Sequence, residues 1–259
     1  MLLAINCNNT NVKFAIYDDT RQRGSWRIST EARRTADEYA VWLTHLMALG
    51  ELDRRDVSDA IIANVVPPAM FNLKELCRRY FACEPLVVGD PALDLGLKVL
   101  LDNPDEVGAD RVVNAVAARM RYDLPAIVVD FGTATTFDII DADGNYCGGV
   151  IAPGINLSVE ALHMAAAKLP RIAVARPVQV IGKGTISAMQ SGVYWGYIGL
   201  IEGLIRRIQD EYGSRMTVIS TGGLAPLFTE ATQVIEHLDP DLTLDGLVEI
   251  YRRNRARKD

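Results

Sequence analysis

The side chains best able to do chemistry fall in four short stretches of this 259-residue chain. "DFGTATT", residues 130–136, ends an apolar run on a carboxylate and follows it with a glycine and threonines. The amides of Gly132 through Thr135 and the threonine hydroxyls are donors of the kind a phosphate needs. Gly132 permits a backbone geometry barred to other residues and lets the phosphate come close. Asp130 can hold a metal ion or its waters. A plain β-turn has the same ingredients. "TGG", residues 221–223, stands between an apolar run and a helical one. There Gly222 and Gly223 either let a flat nucleotide moiety lie against the backbone or form a tight turn and helix cap. "EVGADR", residues 106–111, puts Asp110 and Arg111 in the first turn of a helix. The helix dipole favours a carboxylate there, and the pair reads either as surface charge or as a base beside an anion clamp. "NCNNTN", residues 6–11, lies between the apolar runs "LLAI" and "VKFAIY" and has the shape of a ligand turn without an acid or a glycine.

Bulk properties narrow the classes. With 27 basic against 33 acidic residues the formal charge is −6, which argues against a nucleic-acid binder held by phosphate neutralisation. The basic tail "YRRNRARK" suits the solvated end of a last helix. No signal segment and no run of eighteen apolar residues is present, so a cytoplasmic protein without membrane contact is expected. Cys7, Cys77, Cys83 and Cys147 form no C-x-x-C pair and are expected as reduced, mostly buried thiols. His45, His163 and His237 are scattered, which gives little support to a histidine metal site or a Ser-His-Asp triad. His163 reads as a structural histidine or a cleft-lining one.

These stretches need elements to hold them. Hydrophobic periodicity predicts a β-meander over "LLAIN", "VKFAIYD" and "SWRIS", then helix, strand and helix over "ADEYAVWLTHLMAL", "DAIIANVV" and "PPAMFNLKELCRRYF". Strands are expected at "PLVVG" and "LKVLL", and a helix at "GADRVVNAVAARMRY". From residue 125 the pattern restarts with strand, turn, strand, a hairpin at "DADG" and a third strand. The helix "INLSVEALHMAAAKL" follows. A long helix comes next over "TISAMQSGVYWGYIGLIEGLIRRIQDEYG", with Gly192, Gly196 and Gly199 on closely packed faces. The strand "MTVIS", a turn into a helix and a terminal helix "LDGLVEIYRRN" complete the chain. Aligning "LLAINCNNTNVKFAIYD" with "AIVVDFGTATTFDIID" shows an internal repeat in which Asn6 falls on Asp130, Asn8 on Gly132 and Asn9 on Thr133. Two similar α/β domains are expected, residues 1–118 and 119–259, with a ligand cleft between them.

The succession of the polar turn near residue 6, "NPDEVGADR", "DFGTATTFD", "GGVIAPG", "GKGTISAMQSG" and "STGGLAPLF" resembles the type III pantothenate kinases over essentially the whole chain. That family belongs to the superfamily of actin-like ATPases and of sugar and acetate kinases. The resemblance implies two actin-like ATPase (ribonuclease H-like) domains, each a mixed sheet flanked by helices. It implies ATP-dependent phosphorylation of pantothenate to 4'-phosphopantothenate, the first step of coenzyme A biosynthesis. Asp110 would be the general base on the pantothenate hydroxyl, with Gly108, Ala109 and Arg111 binding pantothenate. Asp130 would stand at the cation end of the site, in a family that uses ATP with Mg2+ and often a monovalent cation (K+ or NH4+). Asn6, Asn8, Asn9, Thr10, Gly132 and Thr133 would lie at the phosphates, and Gly222 and Gly223 would border the adenosine. Thr185 would reach pantothenate from a partner subunit, so a homodimer is implied.

One position set departs from the family pattern. Its first turn usually reads D-x-G-N-T, where this chain has Asn6 and Asn8. Asn6 keeps the shape of an aspartate and loses its charge beside a divalent ion, which favours carboxylate oxygens. Asn8 tolerates φ > 0 better than most residues, and its side chain occupies space where the phosphate would approach. A working kinase with weakened metal binding is expected, and the alternative is a non-catalytic paralogue that keeps the fold as a ligand-binding or regulatory protein.

Overall fold

The structure is a computed structural model in which residues 1–165 and 169–256 are described. The chain falls into two units: Met1–Met120 with the segment from Asp241 onward, and Arg121–Pro240.

In the first unit the apolar runs form β1 (Leu2–Cys7), β2 (Asn11–Asp18), β3 (Arg21–Ser29), β4 (Asp59–Asn64) and the short β5 (Leu86–Val87), in the sheet order β3-β2-β1-β4-β5. β1 pairs antiparallel with β2 and parallel with β4. Every residue of β1 is buried because both faces of the sheet are covered, which is why "LLAINC" reads as a continuous run rather than an alternation. Leu3, Ile5 and Cys7 face a core closed by α1 (Ala36–Leu49) and α2 (Met70–Tyr80). Leu2 and Ala4 face the other way, onto Val113 and Val116 of α3 (Ala109–Arg121) and Leu244, Leu247 and Ile250 of α7 (Leu242–Arg255). α1 starts at a capping box in which Thr35 Oγ1 accepts from the Glu38 amide and the Glu38 carboxylate accepts from the Thr35 amide.

The second unit repeats the plan. β6 (Ala126–Phe131), β7 (Ala134–Ile140), β8 (Tyr146–Pro153), β9 (Thr217–Thr221) and β10 (His237–Leu238) lie in the order β10-β9-β6-β7-β8. β6 pairs antiparallel with β7 and parallel with β9, as β1 does with β2 and β4. Ile127, Val129 and Phe131 pack on Tyr194, Tyr197, Ile198 and Ile201 of α5 (Thr185–Tyr212). Ile155 of α4 (Ile155–Ala165) and Phe228 of α6 (Ala225–Thr229) join that core. The repeat seen in the sequence is therefore a repeat of strand order and pairing.

Some expectations do not hold. "LKVLL" is not a strand; only Val99 makes an isolated bridge. Asn254 of α7 takes the nearby backbone instead, accepting from the Asp94 amide at 2.9 Å and donating to the Asp94 carbonyl at 3.0 Å. Gly192, Gly196 and Gly199 do not lie on packed faces: a Cβ at any of them would meet nothing within 4 Å. The terminal helix, expected with the second half of the chain, covers the β1 face of the first unit. Residues 166–168 of the expected helix "INLSVEALHMAAAKL" lie outside the described residues. The four cysteines are free, three of them buried. His163 is satisfied at 2.7 Å by the Leu169 carbonyl.

Candidate active site

The first turn joins β1 to β2 and is closed by the Asn8 amide on the Asn11 carbonyl at 3.0 Å. Alternation along β1 puts Asn6 on the face of Leu2 and Ala4. Asn6 is only 6% exposed, and its Oδ1 has no hydrogen-bond partner; the Asn8 Oδ1 is likewise buried and unpartnered. Leaving such an acceptor unmet costs about 1–3 kcal/mol. Two such acceptors, one at each side of Cys7, are left without a protein partner in this turn. Asn9 and Thr10 are exposed at the tip. The turn is braced from β3, where Thr30 donates its hydroxyl to the Asn8 carbonyl at 2.6 Å and its amide to the Thr10 carbonyl at 2.9 Å. Thr30 carries no motif, and only the structure shows its part.

α3 presents the acid. Gly108 accepts from the Arg111 and Val112 amides at 3.1 and 3.2 Å, so the helix opens directly on Ala109, Asp110 and Arg111. Ala109 packs in the cluster that contains Leu2 and Ala4, so the start of α3 and Asn6 share one face of the sheet. Asp110 Oδ1 accepts from the Arg111 amide at 2.8 Å. Burial raises the Asp110 pKa above the ordinary value of 3.8, against the lowering pull of that amide and of the Arg111 charge. A carboxylate held poorly solvated beside a guanidinium is a stronger base than a free aspartate.

The second turn joins β6 to β7 and is tighter. The Gly132 amide donates to the Ala134 carbonyl at 3.1 Å, and the ladder resumes at Phe131 with Thr135, whereas the first turn resumes at Cys7 with Val12. Neither Asn8 nor Gly132 has a positive φ, so the expectation that Gly132 supplies a backbone geometry closed to other residues is not met. A Cβ at Gly132 would come no closer than 3.4 Å to the Ala134 carbonyl. The glycine that the backbone does demand is Gly222, at φ +95, where a Cβ would lie 2.5 Å from Asp130 Oδ1 and 2.7 Å from Phe131 N. Gly222 therefore presses on the Asp130 carboxylate, and Gly223 lines a neighbouring cavity of about 450 Å³ with Arg176, Tyr194 and Leu224. Thr133 is exposed, but Thr135 is fully buried and its hydroxyl bonds the Tyr197 hydroxyl. Thr135 is thus withdrawn from the set of ligand donors expected along "GTATT". Thr136 donates to Asp138 at 3.0 Å. Thr185 stands exposed at the first position of α5.

The expected site residues divide between the two units. Asn6, Asn8, Asn9, Thr10, Gly108, Ala109, Asp110 and Arg111 belong to the first, and Asp130, Gly132, Thr133, Thr185, Gly222 and Gly223 to the second. A family model for type III pantothenate kinases matches residues 2–207. The chain belongs to the type III pantothenate kinase family. It is 68% identical over 254 residues to the Type III pantothenate kinase of Paramagnetospirillum magneticum, across 98% of each chain. Among solved structures it resembles a Baf family transcriptional activator from Campylobacter jejuni, at TM-score 0.61 and 18% identity over 98% of this chain and 99% of that one. It also resembles a 2-dehydro-3-deoxygalactonokinase protein from Sinorhizobium meliloti, at TM-score 0.56 and 14% identity over 98% and 96%. At those identities the likeness is one of fold, the two-unit α/β fold of the actin-like ATPases. The family is one of kinases, which use a nucleotide with a divalent metal. Among the described residues no group of three His, Cys, Asp or Glu is placed to hold a metal. In the second unit Asp130 offers a carboxylate, and in the first the buried amide oxygens of Asn6 and Asn8 have no partner. These are donor types that suit hydrated Mg2+, a carboxylate by ligation and a neutral amide oxygen by accepting from metal-bound water.

Proposed function

We propose that the chain transfers the γ-phosphoryl group of ATP to the primary hydroxyl of pantothenate, giving 4'-phosphopantothenate for coenzyme A biosynthesis. The observation that carries this reading is Asp110. It is a carboxylate raised in pKa by burial, at the head of a helix on the Asn6 face of its sheet. Asp110 takes the hydroxyl proton, while Arg111, with Gly108 and Ala109, holds the pantothenate carboxylate. Thr133 and the amides at Gly132 receive the phosphates with Asn8, Asn9 and Thr10, and Gly222 and Gly223 border the adenosine. Mg2+ would supply charge neutralisation to the phosphates; Asp130 would hold it, and the amide oxygens of Asn6 and Asn8 would accept hydrogen bonds from its waters. A monovalent cation, K+ or NH4+, is assigned to the Asp130 end.

The active form is read as a homodimer in the cytoplasm, with Thr185 serving the partner's pantothenate. Support comes from the second unit, where Ile151, Met164, Ile181 and Ile186 are each more than half exposed on or beside α4 and α5. The open glycine face of α5 lies in the same helix as Ile186, and such a face admits a close helix approach. Among the described residues no helix is long and apolar enough to cross a membrane.

The test is ATP-dependent phosphorylation of pantothenate by the chain and by Asp110→Asn, which is expected to lose about 10²–10⁴-fold in kcat. Equal rates would remove Asp110 from the base role. The same variant tests the pH dependence. A raised folded pKa means that the ionised Asp110 burdens the fold once the pH rises past the folded value, so Asp110→Asn should melt higher than the parent at neutral pH. The gap should close below pH 3.8, where both states are protonated. Activity of the parent should fall on acidification with a midpoint above that value. The competing reading, a non-catalytic ligand-binding relative, is favoured by the neutral first turn. It would be upheld by an inactive parent whose Asn6→Asp, Asn8→Gly double variant is active.

A further inference from the structure

We propose that Gly154 and Tyr197 are positioning residues for the turn Gly132–Thr133, setting from behind the backbone that meets the nucleotide phosphates. This rests on the reading of that turn as a phosphate turn. Gly154 is buried between the end of β8 and the start of α4, and its carbonyl accepts both the Ser158 amide at 3.0 Å and the Ser158 hydroxyl at 3.1 Å. The head of α4 is therefore anchored. A Cβ on Gly154 would lie 2.8 Å from the Gly132 carbonyl oxygen and closer still to that of Thr133. Both turn carbonyl oxygens thus lie against the place that a side chain at Gly154 would take. A planar trans peptide directs the following N–H opposite to its carbonyl, so the amides of Thr133 and Ala134 point to the side opposite those two oxygens. Two adjacent amides turned the same way form the concave donor pair that holds anions. Any side chain at 154 would overlap both carbonyl oxygens, and where the turn yields those peptide planes rotate.

Tyr197 acts on the other end of the same turn. It reaches up from α5 with its ring against Phe131 and Phe228, at centroid distances of 6.4 and 4.9 Å, and its hydroxyl bonds Thr135. Thr135 is the residue at which the ladder closes on Phe131, so this bond sets where the hairpin tightens. One contact comes from the residue before α4 and the other from α5, at the two ends of the turn.

Two variants test this, each read by calorimetric titration of ATP in the presence of Mg2+ and by steady-state kinetics on both substrates. Gly154→Ala is expected to weaken ATP binding and raise the KM for ATP by about tenfold or more, from overpacking against the turn. Its KM for pantothenate should stay within about twofold, because Asp110 and Arg111 are carried by the other unit. Tyr197→Phe adds no atoms and removes one hydroxyl, and should cost about fivefold in ATP affinity. A purely structural role predicts lower melting temperatures with ATP affinity unchanged in the folded protein, and that result overturns the proposal. If Gly154→Ala does not fold, Tyr197→Phe decides alone. A parent that binds no ATP overturns the phosphate-turn reading and this one with it. A parent that binds ATP as tightly as both folded variants overturns this proposal only.

Discussion

The chain contains the same hairpin twice and has equipped the two copies differently. β1 and β6 occupy the same central place in sheets of the same strand order, and each delivers a polar turn at its end. The second turn ends on a carboxylate, Asp130, and is seated by glycines at 154 and 222 that let other segments press against it. The first ends on a neutral amide, Asn6, is longer, and is seated by a hydroxyl, that of Thr30. Position is thus fixed by the fold, while charge is free to differ. The difference teaches that geometry and electrostatics at a phosphate turn are separable. Asn6 and Asn8 keep the first turn's shape and leave two buried oxygens unmet.

The contrast can be broken most forcefully from the second turn. Asp130→Asn gives it the side chain of the first and removes the carboxylate to which we assign the cation. We expect kcat/KM for ATP to drop by about 10²–10³-fold, with the Mg2+ optimum moved to higher concentration in a titration. A loss smaller than about threefold would show that the charge difference between the turns has no catalytic meaning.

The reverse exchange should have the next largest effect. Asn6→Asp with Asn8→Gly should turn over at least about tenfold faster, corresponding to roughly 1.4 kcal/mol of transition-state stabilisation. The absence of a positive φ at Asn8 sharpens the expectation for the single variants. The gain should follow Asn6→Asp, while Asn8→Gly relieves no backbone strain and should lower stability by about 0.4–1 kcal/mol in denaturant titrations through the freer unfolded chain. Equal gains from the two singles would contradict that division.

The smallest effect is expected at the brace. Thr30→Val removes the hydroxyl that holds the Asn8 carbonyl at 2.6 Å, and should raise the KM for ATP by about fivefold with kcat little changed. An unchanged KM would mean that the first turn holds its shape without β3.

How much of this was legible in the sequence follows from what each feature depends on. The two sheets could be read because β1 and β6 are continuous apolar runs, and the repeat could be read because the hairpins share pattern and spacing. Asp110 was legible because a glycine, an acid and a base at a helix start form a local signal. The braces were not. Thr30 lies 22 residues from Asn8, and Tyr197 lies 62 from Thr135, and nothing in a hydroxyl residue announces its distant partner. Gly154 and Gly222 were visible as letters, but what they make room for is a matter of tertiary approach. "LKVLL" misled because, of its leucines, only Leu97 packs on the core while Leu100 is exposed, and the segment just before it is tied at Asp94 to Asn254, 160 residues away. The glycines of α5 misled because their spacing is the same whether the face they form is covered or open.

The placement of α7 has a consequence for how the molecule is made. Residues 121–240 form a unit that is continuous in the chain, whereas the other unit needs both ends of it. As the polypeptide leaves the ribosome, β1 emerges first, yet Leu244, Leu247 and Ile250, which cover its Leu2 and Ala4, emerge last. Vectorial synthesis ordinarily lets the N-terminal part finish first. Here β1 waits with an apolar face covered by α3 alone until α7 is free, and the unit of residues 121–240 is the one able to complete beforehand. Nascent chains stopped shortly before Asp241 should therefore be held by chaperones through the oldest residues they contain.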